Sequence, residues 1–181
     1  MQLGSLGFYP SHYIRHDMIK IFTTGGTFDK IYFDANSEFS IGDSQVEPIL
    51  EEANVRTKYT VESLLSKDSL EITAEDRQLI CEHITTSTET QLLITHGSDT
   101  MVDTAIALAA EVESVANKVI VLLGAMQPAR MRITDAPFNL GFALAAVQLL
   151  PAGIYIAMNG KIFHPDDVRK NRSAGRFETL S

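Results

Sequence analysis

Five short apolar segments recur along the chain, and each runs into a cluster of glycine and small polar residues. They cover residues 18–22, 58–65, 91–95, 119–123 and 153–158. Runs of this length are typical of buried strands, and segments with helical spacing separate them. Strands that alternate with helices favour a parallel sheet covered on both faces. We therefore predict a three-layer, doubly wound α/β fold with a mostly parallel sheet of about five strands and helices on both faces.

Helix signals occupy the intervening segments. Thr73, followed three residues later by Asp76, resembles a capping box. The apolar face of the helix that follows comprises Leu79, Ile80, His83 and Ile84. Further helices are predicted to begin at Pro48, Met101 and Pro137. The last of these is apolar nearly all round, which favours a central position in the core.

The composition is that of a globular protein with one domain. The 181 residues are 45% hydrophobic and 21% charged, and a chain of this length can bury a core without disulfides. A formal net charge of −8 disfavours nucleic-acid binding, which needs clustered Lys and Arg. Cys81 is the single cysteine, which excludes an internal disulfide or a thiolate metal cluster and suits a reducing compartment. No apolar stretch reaches the ~20 residues that cross a bilayer, so we predict a cytoplasmic protein with no membrane span.

The two ends of the chain differ from its centre. Residues 1–17 lack the apolar segment of an export signal and precede Met18, a plausible second start. We predict that they are a leader or a disordered terminus and that residues 18–181 form a single domain. Asn159-Gly160 predicts a tight hairpin turn with a return arm at 161–163. Residues 164–181 are rich in charge, which by itself is typical of a solvated tail.

The segment Thr23-Thr24-Gly25-Gly26-Thr27 follows the first predicted strand. Adjacent glycines let the chain turn sharply and approach a ligand, because positive φ costs them little. Thr27 then presents its hydroxyl at the end of the strand, which makes it a candidate nucleophile. A Gly-Gly transition is also typical of a plain turn or a phosphate-binding loop, and these residues alone leave the three interpretations open.

Polar residues follow other predicted strands at the equivalent place. Ser69 follows the second strand, and Ser98-Asp99 lies between the third strand and a helix start. Lys170 lies beyond the fifth strand. Ligands of such sheets bind beyond the carboxyl ends of the strands, so these residues can converge with Thr27 on one pocket. A helix start also offers unpaired N–H groups to an oxyanion or a carboxylate.

The polar segment 28–45, just after Thr27, carries Tyr32, Phe33 and Phe39. Its position favours two interpretations equally. It is either a lid that closes over substrate or a surface loop pinned by its aromatic side chains.

Two motifs occur together in a fixed order: TGGT at residues 24–27 and THGSDT at residues 95–100. With GAM at 124–126, DAPFNL at 135–140 and DVRK at 167–170, the chain resembles the bacterial-type L-asparaginase family from residue 18 to about residue 172. It ends where the larger amino-terminal domain of that family ends. It therefore resembles a short form that comprises only this domain.

The resemblance implies hydrolysis of L-asparagine to aspartate and ammonia, with no metal or other cofactor. Thr27 would attack the amide carbon and form an acyl-enzyme. Lys170 and Asp99 would complete a proton relay with Ser98, which stands where the family has a second threonine. A lysine near a hydroxyl can accept the proton that a weak alcohol nucleophile must lose.

The resemblance also implies substrate contacts. Asp99 would pair with the α-ammonium group and Ser69 with the α-carboxylate, and the Ser98 backbone N–H is a candidate oxyanion donor. The implied substrate-binding set is completed by Gly26, Gly97 and Ala125. Full-length relatives assemble their sites between subunits, so the resemblance implies a homo-oligomer.

Three features depart from the family pattern. The lid tyrosine aligns with Phe39, which has no hydroxyl, and Tyr32 is the alternative source of a catalytic hydroxyl; the sequence leaves both open. Leu70 stands where a Gln often follows the carboxylate-binding serine. The smaller domain, which supplies an acidic residue to a partner's site, is missing, so we expect a more open pocket with modest substrate affinity.

Other functions also fit parts of the pattern. A catalytically silent module that binds asparagine or aspartate needs Asp99 and Ser69 but has no use for a nucleophile and a lysine, so the complete set favours an enzyme. Glutaminase or broader amidase activity is a third candidate, since one methylene changes binding by only ~1–3 kcal/mol. His96 is expected to be structural, and His164 has no second ligand at metal-binding spacing.

Overall fold

The computed structural model describes residues 18–33, 38–111 and 113–180, so the predicted leader, residues 1–17, lies outside the described residues. The strands in chain order are β1 (Ile19–Gly25), β2 (Lys30–Phe33), β3 (Glu38–Ile41), β4 (Tyr59–Lys67), β5 (Gln91–Thr95), β6 (Val119–Leu123), β7 (Gly153–Met158), β8 (Lys161–Phe163), β9 (Arg169–Asn171) and β10 (Arg176–Glu178). The helices are α1 (Val46–Glu52), α2 (Ala74–Thr86), α3 (Met101–Ala110) and α4 (Ala136–Leu149).

The central sheet has the strand order β4-β1-β5-β6-β7-β8. Neighbours from β4 to β7 are parallel, and β8 pairs antiparallel with β7. This confirms the predicted mostly parallel sheet, with the return arm at 161–163 as its sixth strand. From β1 the chain continues to β4 on one side, whereas β5, β6 and β7 follow on the other side. Ligands of open parallel sheets bind at such a reversal, beyond the carboxyl ends of β1 and β5.

Two apolar layers cover the two faces of the sheet. Consecutive residues of β1 point to opposite layers: Ile21 packs in the layer of α1 and α4, and Phe22 in the layer of α2 and α3. Burial on both faces explains why the central strands are continuous apolar runs. The three-layer arrangement is therefore confirmed.

The capping box predicted before α2 is present. Thr73 Oγ1 accepts a hydrogen bond from the Asp76 N–H at 3.3 Å, and the Asp76 carboxylate accepts one from the Thr73 N–H at 2.9 Å. The helix buries Ile80 and Ile84 as predicted, but Leu79 is exposed, so the predicted apolar face was too wide. No helix in the described residues is both long and apolar enough to cross a membrane.

Two helix predictions need correction. The predicted central position of α4 is wrong, because Phe138 and Leu149 are exposed and the helix covers only one face of the sheet. The solvent-facing side of α4 carries apolar residues. The sequence therefore lacks the polar stripe by which a surface helix is usually recognised. Helix α1 begins at Val46, two residues before Pro48.

Residues 28–45 do not form the long loop that their polar composition predicted. A short 3-10 turn, Thr27–Asp29, leads into an antiparallel hairpin of β2 and β3, and α1 follows. Tyr32 lies opposite Phe39 in this hairpin, and residues 34–37 are outside the described residues. The segment is therefore neither an irregular lid loop nor an irregular surface loop. Closure of the hairpin over substrate stays a prediction.

The interpretation of the carboxy-terminal segment as a solvated tail was wrong. Strands β9 and β10 form a hairpin in which Phe177 and nearby Val168 are buried in the layer of α2 and α3. The predicted turn at Asn159-Gly160 is present, with φ of 55° and 73°, and the Asn159 side chain accepts the Phe177 N–H at 2.9 Å. Two apolar anchors among many charges thus hold this segment against the domain.

Candidate active site

The backbones of Gly26 and Gly97 touch where β1 and β5 end. A Cβ added to Gly26 would overlap the Gly97 backbone, and Gly26 has a φ of 70°, so both contact and conformation require glycine. A Cβ on Gly97 would in turn lie 2.7 Å from Ser69 Oγ. The three predicted loops are therefore in direct contact, and Thr27 and Ser98 each follow one of the touching glycines.

Two threonine side chains hold these loops together. Thr24 Oγ1 donates to the Thr95 carbonyl at 2.9 Å, and Thr100 Oγ1 donates to the Ser69 carbonyl at 2.7 Å. Sequence reasoning assigned no role to either hydroxyl, although both lie in the TGGT and THGSDT motifs. The first bond ties the end of β1 to the end of β5, and the second ties the THGSDT segment to the main chain of Ser69.

Lys170 joins the site from the β9–β10 hairpin. Its Nζ donates to Ser98 Oγ at 2.8 Å and to Asp99 Oδ1 at 3.0 Å. The Lys170 side chain is 14% exposed and Asp99 26%, while Ser98 is buried. The structure thus brings Lys170 to the predicted relay residues Ser98 and Asp99, which lie more than 70 positions earlier in the chain.

A second cation contacts Asp99. The Arg172 guanidinium lies 3.1 Å from Asp99 Oδ1, the oxygen that Lys170 also contacts. Sequence reasoning grouped Arg172 with the solvated charges of the tail. Arg172 lies in the turn that directly follows β9, two residues after Lys170.

His96 lies beneath the site and is fully buried. Its Nδ1 is 2.8 Å from the Gly97 carbonyl, which can only accept, so Nδ1 carries the proton and Nε2 accepts from the Thr104 hydroxyl at 2.9 Å. Burial lowers the pKa of His96 to about 4. Both ring nitrogens are occupied by structural hydrogen bonds, in agreement with the expectation that His96 is not a base.

Asp29 connects the turn after β1 to the hairpin and to α1. Its buried carboxylate accepts the Gln45 N–H at 2.9 Å, and its carbonyl accepts the Gly42 N–H at 2.9 Å. Burial raises the pKa of Asp29 to about 6, against the opposing effects of the Gln45 hydrogen bond and the charge of Arg130. Asp29, two residues after Thr27, therefore links the start of the hairpin to the segment that follows its end.

The loop after β6 is held by the start of α4. Asp135 accepts the Met126 N–H at 2.9 Å and the Gln127 N–H at 3.0 Å, and Asn139 Nδ2 donates to the Gly124 carbonyl at 3.0 Å. Ala125 is buried within this loop. Asp135 and Asn139 are positioning residues that sequence reasoning missed, although their spacing of four places them on one side of a helix.

The hairpin stands beside the Ser69 loop. Tyr32 and Phe39 are both exposed and pack edge to face, with ring centroids 5.5 Å apart. A cavity of about 550 Å³ lies between the hairpin and the loop, with Phe39 and exposed Leu70 in its wall. Asp68 pairs there with Lys30; burial opposes ionisation of Asp68, but this pair and the Leu70 N–H together lower its pKa.

The arrangement provides a hydroxyl after β1, an amine–hydroxyl–carboxylate group after β5, and a buried serine after β4. A threonine hydroxyl on one loop and an amine that holds a second hydroxyl on the adjoining loop are the groups that nucleophilic attack on a carbonyl carbon uses. Groups of three or more His, Cys, Asp or Glu side chains that could hold a metal ion are not found among the described residues. The geometry suits acyl transfer through a side-chain hydroxyl.

Comparison with known proteins defines the family. Residues 18–180 match the family described as "Asparaginase, N-terminal". A glutaminase-asparaginase from Acinetobacter glutaminasificans is 40% identical over 82 residues, which are 44% of this chain and 24% of that protein. A glutamyl-tRNA(Gln) amidotransferase component from Methanococcus vannielii is 32% identical over 154 residues, 80% of this chain and 34% of its own.

A solved structure shows the same fold. The thermostable L-asparaginase from Thermococcus kodakarensis superposes with a TM-score of 0.72 at 26% identity, over 90% of this chain and 51% of that one. The chain thus spans about half of this structure, 24% of the first curated relative and 34% of the second. The family match over 18–180 shows that the chain belongs to the asparaginase family.

Proposed function

We propose that this protein hydrolyses the side-chain amide of L-asparagine to L-aspartate and ammonia. The contact between Gly26 and Gly97 carries the proposal, because Thr27 and Ser98 each directly follow one of these glycines and Lys170 holds the Ser98 hydroxyl. Relatives named as asparaginase and glutaminase-asparaginase support this choice of substrate. A cytoplasmic location and a homo-oligomeric state stay predictions from the sequence.

In the first step Thr27 Oγ attacks the amide carbon of the substrate. The Lys170 amine takes the hydroxyl proton through the Ser98 hydroxyl, which lies 2.8 Å from it. The negative charge of the tetrahedral intermediate lies on the former amide oxygen, and the Ser98 N–H stabilises it. The C–N bond then breaks, the relay returns the proton to the leaving nitrogen, and ammonia departs.

In the second step water attacks the ester between the aspartyl group and Thr27. The same relay removes a proton from the water and returns one to Thr27 Oγ as the C–O bond breaks. Aspartate leaves and the starting state is restored. Each proton removed is returned within the cycle, so no cofactor or external oxidant is consumed.

Substrate orientation is assigned to groups on three loops. Asp99 receives the α-ammonium group and Ser69 the α-carboxylate, while the loop of Ala125 lines the amide end. Asp135 supports this last loop through its hydrogen bonds to Met126 and Gln127. Tyr32 and Phe39, both exposed on the hairpin, are assigned to close over bound substrate.

L-Glutamine is a second candidate substrate. The relative from Acinetobacter glutaminasificans is named for both activities. One additional methylene changes binding in a pocket by only ~1–3 kcal/mol, and the same relay serves both amides.

Ammonia release from L-asparagine and from L-glutamine tests the proposal. We expect wild-type turnover and a fall of at least ~10³-fold in Thr27→Val. Thr88→Val is the matched control, because Thr88 is exposed and precedes the amino end of β5, whereas the site lies at the carboxyl ends of the strands. Full activity in Thr27→Val would contradict the assignment of Thr27 as the nucleophile. No ammonia from either amide, with aspartate still raising the melting temperature, instead identifies a binding module.

A further inference from the structure

One carboxylate oxygen of the site is shared by two cations. Asp99 Oδ1 lies 3.0 Å from Lys170 Nζ and 3.1 Å from an Arg172 terminal nitrogen. Lys170 is nearly buried and also holds Ser98, whereas the Arg172 side chain is 69% exposed. Arg172 therefore contacts the site from its solvent side and is free to leave it.

This second cation changes what Asp99 can offer to a ligand. A carboxylate attracts an incoming ammonium group less strongly when cations already surround it, because the local charge is no longer negative. If Arg172 is absent, Asp99 keeps Lys170 as its one close cation among the described residues. A ligand with no ammonium group then binds next to an Asp99 carboxylate whose negative charge is balanced by one cation fewer.

We propose that Arg172 is a specificity-determining residue that lets the site accept ligands without an α-ammonium group. When such a ligand binds, Arg172 stays on Asp99 and compensates its charge. When an α-amino acid binds, the α-ammonium group replaces the guanidinium, which turns into solvent. The substrate class this adds is the monoamides of four-carbon dicarboxylic acids, with succinamate as the simplest member. The inference rests on the proposed function only in placing the α-ammonium group at Asp99.

The hairpin that carries Arg172 provides its own controls. Arg169 and Arg176 are also exposed on this hairpin, but both pair with Glu178. The contact of Arg176 is long, at 3.9 Å, so its removal disturbs the hairpin little. Arg176→Ala therefore reproduces the change in net charge without touching Asp99.

Binding of two product-like acids tests the inference without any need for turnover. L-Aspartate has the α-ammonium group and succinate lacks it. We would titrate both into the wild-type protein, Arg172→Ala, Arg172→Lys and Arg176→Ala by calorimetry at one ionic strength. An exposed ion pair changes an equilibrium by up to about fivefold. We expect the ratio of the succinate Kd to the L-aspartate Kd to rise about fivefold in Arg172→Ala, and to change less than about twofold in Arg176→Ala.

Each outcome has one meaning. A ratio that rises in Arg172→Ala and is partly restored in Arg172→Lys supports the inference. A ratio that is unchanged in Arg172→Ala, or that changes equally in Arg176→Ala, overturns it and leaves the proposed function intact. Failure of the wild-type protein to bind either acid contradicts the proposed function, and the inference with it.

Discussion

The two sides of the site are built from different parts of the chain. Immediately before Thr27 the turn is held by main-chain contacts: the Gly26 N–H donates to the Lys67 carbonyl at 2.8 Å, and the Gly26 backbone touches Gly97. The opposite side is held by the side chains of Lys170, Ser98 and Asp99. The nucleophile side should therefore be sensitive to changes of backbone, and the relay side to the loss of single functional groups.

The largest effect should come from the relay side. Lys170→Met keeps most of the volume and removes the amine that contacts both Ser98 and Asp99. We expect kcat for ammonia release to fall by about 10³-fold or more, since general acid–base groups contribute ~10²–10⁴-fold. Lys161→Met, on an exposed position of β8, is the control. If both variants lose activity equally, Lys170 is not part of a relay.

A backbone change should be nearly as damaging on the nucleophile side. In Gly26→Ala the new Cβ overlaps Gly97, and a φ of 70° strains any residue other than glycine. We expect activity to fall by about 10²-fold or more, together with a lower melting temperature. Gly141→Ala is the control, because a Cβ there meets no atom within 4 Å. Wild-type activity in Gly26→Ala would show that the close contact does not position Thr27.

Asp29 and His96 should affect stability rather than chemistry, with opposite dependence on pH. Burial raises the pKa of Asp29 from 3.8 to about 6, so its stabilising contribution is complete below pH 3.8 and is lost as pH rises through 6. Burial lowers the pKa of His96 from 6.5 to about 4, so its contribution is complete above pH 6.5 and is lost as pH falls towards 4. Between these values the two effects largely cancel.

Asp29→Asn should reveal the His96 effect alone, because the amide oxygen still accepts the Gln45 N–H. Between pH 4.5 and 7 we expect the unfolding free energy of this variant to rise relative to wild type by about 2–3 kcal/mol. Urea unfolding across this range is the measurement, with Asp43→Asn at an exposed position as the control. Parallel curves for Asp29→Asn and wild type would show that the Asp29 carboxyl does not titrate abnormally.

The smallest effect should come from the hairpin. Tyr32 and Phe39 lie opposite each other, and only Tyr32 has a hydroxyl. We expect Tyr32→Phe to lower kcat/KM for L-asparagine by about tenfold through loss of that hydroxyl, and Phe39→Leu to have an effect of only a few-fold. The reverse order would assign the functional position to Phe39 and its packing.

Local patterns predicted most of the fold, and contacts across the chain account for what they missed. Apolar runs and Gly-rich ends located β1, β5, β6 and β7, because burial on both faces leaves a continuous signal. Composition gave the wrong structure for residues 28–45 and 164–178. In both segments polar and charged residues outnumber the few apolar residues that anchor the segment to the core. Phe177 is one such anchor, and its burial depends on contacts that no local pattern contains.

The candidate site shows the same division. Thr27 and Ser98 belong to motifs visible within a few residues. Lys170 was singled out by its position beyond the fifth strand, and only the family resemblance implied its place in the relay. Arg172 was missed because its partner Asp99 is more than 70 positions away. The roles assigned to these residues in catalysis stay predictions until variants are measured.

The most direct test is to locate the covalent intermediate. The protein would be mixed with L-asparagine, quenched in acid within milliseconds, digested and mapped by mass spectrometry, with Thr27→Val treated in parallel. We predict an aspartyl ester on the peptide that contains Thr27, absent from the variant, which also releases no ammonia above background. An ester on Ser98 or Tyr32, or unchanged ammonia release by Thr27→Val, would contradict the assignment of Thr27 as the nucleophile.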